Sequence, residues 1–267
     1  MKITKVDVYM LDAGEQRWQR KPIICRIHTD EGIYGDGEAG IALGIGSTGA
    51  FGMVKDLAGL IIGMDPMNVE VIWNKMFKSS FWGMGGGAIV FAGISAIDIA
   101  LWDLKGKIMD LPLYRLLGGN KKKVPVYASG GWTSYDDDAL VAEALEMVRR
   151  GYKMIKLKVG VEGGRNIRRD AQRCRKVREA IGPDIGFMVD ANNAFHSGDA
   201  VRLANEIREY DILFFEEPVF ADDIPGLRRF RQGTDIPLGT GEHEYTRYGA
   251  RDLILGEAVD YLQMDVT

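Results

Sequence analysis

The chain has 267 residues, of which 46% are hydrophobic and 27% charged, and its net charge is −4. That balance is ordinary for a soluble globular protein, and the length suits one large domain or two ordinary ones. The charges are interspersed and the one basic run, Lys121-Lys122-Lys123, is short, so nothing marks a nucleic-acid footprint. Cys25 and Cys174 each lie in a periodic segment and read as free, buried thiols of a reducing compartment. Met1-Lys2-Ile3-Thr4-Lys5 carries no apolar signal core and no run of 18 apolar residues occurs, so the expected location is cytoplasmic, with no membrane partner.

In chain order, residues 2–11 alternate as a strand, and 22–29 form a second, followed by the turn Asp30-Glu31-Gly32. A third short strand fits 33–38. A polar, aromatic loop, 13–21, separates the first two strands, and a glycine-rich loop, 40–52, follows the third. Helical periodicity comes next, most clearly over 88–109, ending near Asp110-Leu111-Pro112. A short helical turn at 113–117 stops at Gly118-Gly119. Residues 1–122 therefore read as an N-terminal α+β domain.

From 123 to 267 the pattern is strand, helix, strand, helix. The predicted strands are 124–130, 153–159, 186–191, 213–218, 236–241 and 260–265; the helices are 137–150, 165–181, 199–208, 224–232 and 247–257. Such alternation argues a parallel α/β sheet. A full (β/α)₈ barrel takes about 250 residues. The fold class expected is α/β, with a barrel truncated after its sixth strand, or else an open sheet. Two GxGxxG matches, Gly35-x-Gly37-x-x-Gly40 and Gly44-x-Gly46-x-x-Gly49, open no amphipathic helix within a βαβ unit and carry no nucleotide site.

Asp190, Glu216 and Glu242 end three successive predicted strands, each 26 residues after the last. Parallel βα units place such strand ends on one face, where barrel active sites lie. Three carboxylates gathered there repel and resist burial unless a cation joins them, most simply Mg²⁺. In Lys153-Met154-Ile155-Lys156-Leu157-Lys158-Val159, the period of two puts Lys156 and Lys158 on one face and the apolar residues on the other. Two ammonium groups opposite three carboxylates and a metal would depress each other's pKa and prepare one lysine as a base.

The series Lys156-x-Lys158, Asp190-x-Asn192, Glu216-Glu217-Pro218, Gly241-Glu242-His243 and Asp265 resembles the enolase superfamily, mandelate racemase subgroup. The N-terminal domain, with Ile97-Asp98-Ile99-Ala100-Leu101-Trp102-Asp103-Leu104, looks like that family's capping domain. The resemblance implies a barrel of the modified TIM type over 123–267. It implies Mg²⁺ held by Asp190, Glu216 and Glu242, binding a substrate carboxylate and stabilising the enediolate left when the α-proton departs. Lys158 would be the base, Lys156 would contact the carboxylate, and Asn192 and His243 would contact substrate, His243 alternatively being packed behind Glu242. Specificity would come from the capping loops 16–21 and 41–51, with Arg17, Trp18 and Arg20 as candidates. Glu217 is either a partner of a lysine or a strand-end charge.

The departure from the family lies at Asp265. In the subgroup this aspartate orients a histidine on the next strand, and no histidine follows it here, so the protein is expected to continue past Thr267. Thr240-Gly241-Glu242-His243-Glu244-Tyr245-Thr246-Arg247 is similar to rhamnonate-type dehydratases. The activity implied is dehydration of a sugar acid, an aldonate or aldarate, to a 2-keto-3-deoxy acid, by a homo-oligomer. Racemisation or epimerisation of a 2-hydroxy acid, or metal binding without catalysis by a truncated chain, are the alternatives.

Overall fold

The computed structural model describes residues 1–12, 14, 21–41, 45–80, 87–121 and 123–267. Two compact units divide the chain: Met1–Lys122 together with Val266–Thr267, and Lys123–Asp265.

In the first unit, alternating side chains build an antiparallel sheet of β1 (Ile3–Met10), β2 (Ile23–Thr29) and β3 (Tyr34–Ala39), in that order. Every second residue of β2, namely Ile23, Cys25, Ile27 and Thr29, is buried, and this face meets helices. Those helices are α1 (Ser47–Ile61), α2 (Val69–Ser79) and α3 (Ala88–Ile108). A single helical turn, α4 (Leu113–Leu116), follows. Helix α3 is buried over most of its circumference, through Phe91, Ile94, Ile97, Leu101 and Leu104 among others. It lies so close to β3 that a Cβ at Gly37 would stand 2.0 Å from the Ala96 carbonyl oxygen, so only glycine fits there.

Helix α1 starts inside the stretch expected to be a glycine-rich loop. It contains Gly49, Gly52 and Gly59, each costing about 1 kcal/mol relative to alanine. Buried Ala50, Val54, Leu57 and Ile61 form a stripe that packs in the same core as α3, and tertiary burial overrides the propensity.

In the second unit, β4 (Ala128–Gly130), β5 (Met154–Lys158), β6 (Gly186–Asp190), β7 (Ile212–Glu216), β8 (Leu238–Thr240) and β9 (Tyr261–Leu262) form one six-stranded sheet. All five pairings are parallel and the spatial order is the chain order. The crossovers are α5 (Asp137–Arg149), a tight turn α6 (Val161–Gly164) followed by α7 (Ile167–Ile181), α8 (Ser197–Glu206), α9 (Ile224–Gly233) and α10 (Thr246–Leu255). The fold class is α/β, an antiparallel-sheet unit followed by a parallel six-stranded one. The strands are shorter than predicted at β4, β8 and β9. Pro237, without an N–H to donate, lies directly before β8, and Pro125 falls within the predicted but not the observed span of β4.

One face of the sheet packs on the helices. Ile155, Leu157, Phe187, Val189, Phe215 and Leu238 meet Val177, Leu203 and Leu227 in one apolar cluster. That packing fixes which side chains are left to face the other way. Both cysteines are free and buried. Among the described residues, no helix is long and apolar enough to cross a membrane.

Candidate active site

Strand β5 sends Ile155 and Leu157 into the helix-side core, so Lys156 and Lys158 share the opposite face. The parallel register sets Lys158 level with Asp190, and Asp190 level with Glu216. The ammonium groups therefore reach the carboxylates across the ladder. Lys158 Nζ donates to Asp190 Oδ2 at 2.5 Å and to Asn192 Oδ1 at 2.6 Å. Lys156 Nζ lies 3.1 Å from the same Asp190 Oδ2 and donates to Glu216 Oε2. Asp190 Oδ1 in turn accepts the backbone N–H of Asn192 at 3.0 Å. Asp190 and Glu216 are almost wholly buried, and the Lys156 ammonium lies 5.3 Å from the centre of the Tyr127 ring.

Two neighbouring ammonium groups by themselves depress each other's pKa. For Lys156 the pairing does the reverse. Burial opposes its charge, but Asp190 and Glu216 together outweigh burial and hold its pKa above the ordinary lysine value.

Glu242 is placed differently. Gly239, not Glu242, is level with Glu216. Glu242 lies in the turn beyond β8, with its side chain 38% exposed. It neighbours His243, whose Nε2 is 3.1 Å from Glu217 Oε1 and 4.0 Å from Glu242 Oε1. Asn193 Nδ2 donates to Glu217 Oε2 at 3.0 Å and lies 3.1 Å from His243 Nε2. Glu217 is fully buried, and its partners are this imidazole and amide rather than a lysine. Among the described residues, Glu217, Glu242 and His243 form a group whose ligand atoms all lie within 4.8 Å of one another.

The loops leaving β6 and β7 hold three non-glycine residues at positive φ: Asn192 at 42°, Asn193 at 66° and Glu217 at 42°. Asparagine visits this region readily, whereas glutamate there costs on the order of 1 kcal/mol. The backbone secures the strained residues, since Asn193 N donates to Glu217 O and Glu217 N to Gly239 O, each at 2.9 Å.

The electrostatics are lopsided. Asp190, Glu216, Glu217 and Glu242 face Lys156, Lys158 and His243. Burial first, and then Glu217, Asp190 and Glu216, push the Glu242 carboxyl up to about 7, with His243 opposing. The Glu217 contact raises the pKa of His243 against its burial. Excess negative charge on hard oxygen donors is what a divalent cation such as Mg²⁺ relieves, so the residues fit that metal.

Of the other candidates, Asp265 is exposed in the segment after β9, and Arg17, Trp18 and Arg20 lie outside the described residues. Asn193 was not singled out from sequence. Its signal was weak, an asparagine three residues past Asp190 whose partner appears only when β7 is laid beside β6.

Residues 11–118 match the mandelate racemase / muconate lactonizing enzyme N-terminal domain, and residues 139–267 match the enolase C-terminal domain-like family. The chain is 34% identical to arabinonate dehydratase of Saccharolobus solfataricus, over 91% of this chain and 65% of that one. It is 33% identical to L-talarate/galactarate dehydratase of Salmonella typhimurium, over 91% of this chain and 60% of that one. It thus spans a little under two thirds of these relatives' length. The crystal structure of the 3,6-anhydro-D-galactonate cycloisomerase from Zobellia galactanivorans superposes with a TM-score of 0.89 at 36% identity, covering 100% of this chain and 72% of that one. The two matched domains and the shared fold make the chain a member of the enolase superfamily, in its mandelate racemase subgroup.

Proposed function

We propose that the chain acts as a Mg²⁺-dependent hydro-lyase on a sugar acid, an aldonate or aldarate, giving a 2-keto-3-deoxy acid. The observation that carries this reading is the convergence of Lys156 and Lys158 on one oxygen of Asp190, level with Glu216. Two relatives named as sugar-acid dehydratases support the substrate class.

Asp190, Glu216 and Glu242 would hold Mg²⁺, which when bound supplies Lewis acidity toward a substrate carboxylate. Lys156, kept an ammonium by its neighbours, would bind that carboxylate. With Asp190 engaged elsewhere, Lys158 would lose its ion pair. Lys158 Nζ would then take the α-proton, and the electron pair left behind would expel the β-hydroxyl, which a general acid would protonate so that it leaves as water. Tautomerisation of the resulting enol gives the keto acid. Asn192, already hydrogen-bonded to Lys158, would keep the amine aimed, and His243 would donate to a substrate hydroxyl. Asp265 would act by orienting an imidazole, and Arg17, Trp18 and Arg20 would select the hydroxyl pattern. Homo-oligomeric assembly and a cytoplasmic location belong to the same reading.

Racemisation or epimerisation of a 2-hydroxy acid would share the first proton transfer. Incubation with Mg²⁺ and a panel of aldonic and aldaric acids in D₂O separates the two. α-Deuteration seen by NMR together with a semicarbazide-reactive keto acid is expected, and Lys158→Ala should lose both. Deuteration without keto acid would favour racemisation or epimerisation; deuteration surviving in Lys158→Ala would remove the base assignment.

A further inference from the structure

Two charged side chains sit fully buried on the sheet-facing side of α7, Asp170 and Arg173. Both turn to backbone groups of the loops that leave β4 and β5. Asp170 Oδ1 accepts the N–H of Gly160 at 3.1 Å, and its two oxygens accept the N–H of Val161 at 3.2 and 3.1 Å. Arg173 donates to the carbonyls of Gly131 at 2.8 Å, Trp132 at 2.9 Å and Tyr135 at 3.0 Å. One face of one helix thus pins two adjacent loops at the end of the sheet where the proposed site lies.

The cost of this arrangement argues against its being incidental. A buried carboxylate and guanidinium lose their hydration, and apolar packing is often as stable or more so. Burial raises the Asp170 carboxyl to about 6 despite the N–H groups of Val161 and Gly160. Burial likewise lowers the pKa of Arg173. What this pair does that leucines could not is fix backbone atoms by direction. Gly160 lies two residues after Lys158, at φ 94°, and a Cβ there would stand 2.7 Å from Ala194 Cβ. The chain therefore leaves Lys158 through one tightly defined turn, and Asp170 closes it.

We infer that Asp170 and Arg173 are positioning residues: Asp170 sets the exit of β5 and with it the aim of Lys158, while Arg173 sets the backbone of the Trp132 loop beside it. The role given to Lys158 rests on the proposed function; the placement of its amine does not. The test therefore reads the amine itself.

The wild-type chain, Asp170→Ala and Asp170→Asn are treated briefly with a small amine-acylating ester, and modification is quantified by mass spectrometry at Lys158 and at exposed Lys153. In Asp170→Ala, which takes the acceptor from the N–H groups of Gly160 and Val161, acylation of Lys158 should rise by at least about fivefold, with Lys153 unchanged. Asp170→Asn, which keeps an acceptor oxygen, should fall nearer to wild type. A lower melting temperature with no change at Lys158, or an equal rise at both lysines, would mean that Asp170 is scaffold only and overturns the inference. Should the alanine variant fail to fold, amide hydrogen exchange in the wild-type chain decides. Gly160 and Val161 should exchange as slowly as Leu157, and exchange at free-loop rates would overturn the inference. α-Deuteration of the acid panel is followed in parallel, so that a Lys158 effect without turnover retains the positioning and removes only the base.

Discussion

The ends of β5, β6 and β7 and the end of β8 all carry charged residues and hold them in different ways. At the first three, Lys156, Lys158, Asp190 and Glu216 are part of the ladder, in register and paired across it, with Lys156, Asp190 and Glu216 almost wholly buried and Lys158 partly so. At the fourth, Glu242 and His243 lie past the strand, in a turn, with side chains 38% and 52% exposed. Lysine ammonium groups already compensate the strand-held carboxylates, whereas the turn-held one keeps a raised pKa. Pre-organisation of a charged site thus follows the ladder.

The largest effect should come from breaking the strand-held half. Lys156→Met leaves two buried carboxylates with one ammonium between them, and such a removal costs about 3–5 kcal/mol. The urea midpoint should fall accordingly, and added Mg²⁺ should restore more stability to the variant than to the wild type. A loss under about 1 kcal/mol would show that water reaches Asp190 and Glu216 as freely as it reaches a surface pair.

A smaller effect is expected from the turn, through pH. The folded pKa of Glu242 is about 7 against an ordinary 4.5. Its contribution to stability is therefore present below pH 4.5 and lost as the pH rises through 7. In EDTA, the stability of wild type minus that of Glu242→Gln should decline across that window. A difference that stays flat would mean that Glu242 is solvated and feels little of its neighbours.

The smallest effect belongs to His243→Ala, below about 1 kcal/mol because the imidazole is half exposed and its attraction to Glu217 is screened. Thermal unfolding would measure it. A loss above about 2 kcal/mol would erase the contrast between ladder and turn.

Legibility in the sequence divides along the same line. Strand period and the 26-residue repeat place Lys156, Lys158, Asp190 and Glu216 on one face before any coordinates are known, because a ladder propagates local pattern into distant contact. The same repeat counts residues and carries no sign of the turn past β8 in which Glu242 lies. The Glu217–His243–Asn193 contacts depend on positive φ at Asn193 and Glu217, which residue type signals for asparagine and conceals for glutamate. Helix α1 was hidden by its glycines, whose propensity is overruled by a core contributed mostly by other segments. Asp170 and Arg173 read as ordinary charges of an amphipathic helix, and only the turn of α7 against the sheet shows them to be inside.

The identity of spatial and chain order in β4 to β9 has a consequence for how this unit is made. Within β4 to β9, every strand joins the edge exposed by its predecessor, and their pairings follow one another along the chain. Contacts of short sequence separation close quickly. As the chain leaves the ribosome, the sheet can grow by accretion, one strand and one crossover at a time, with each helix covering its apolar face before the next strand arrives. The lysine strand precedes its carboxylate partners, so the charges of the site would be paired in the order in which they emerge.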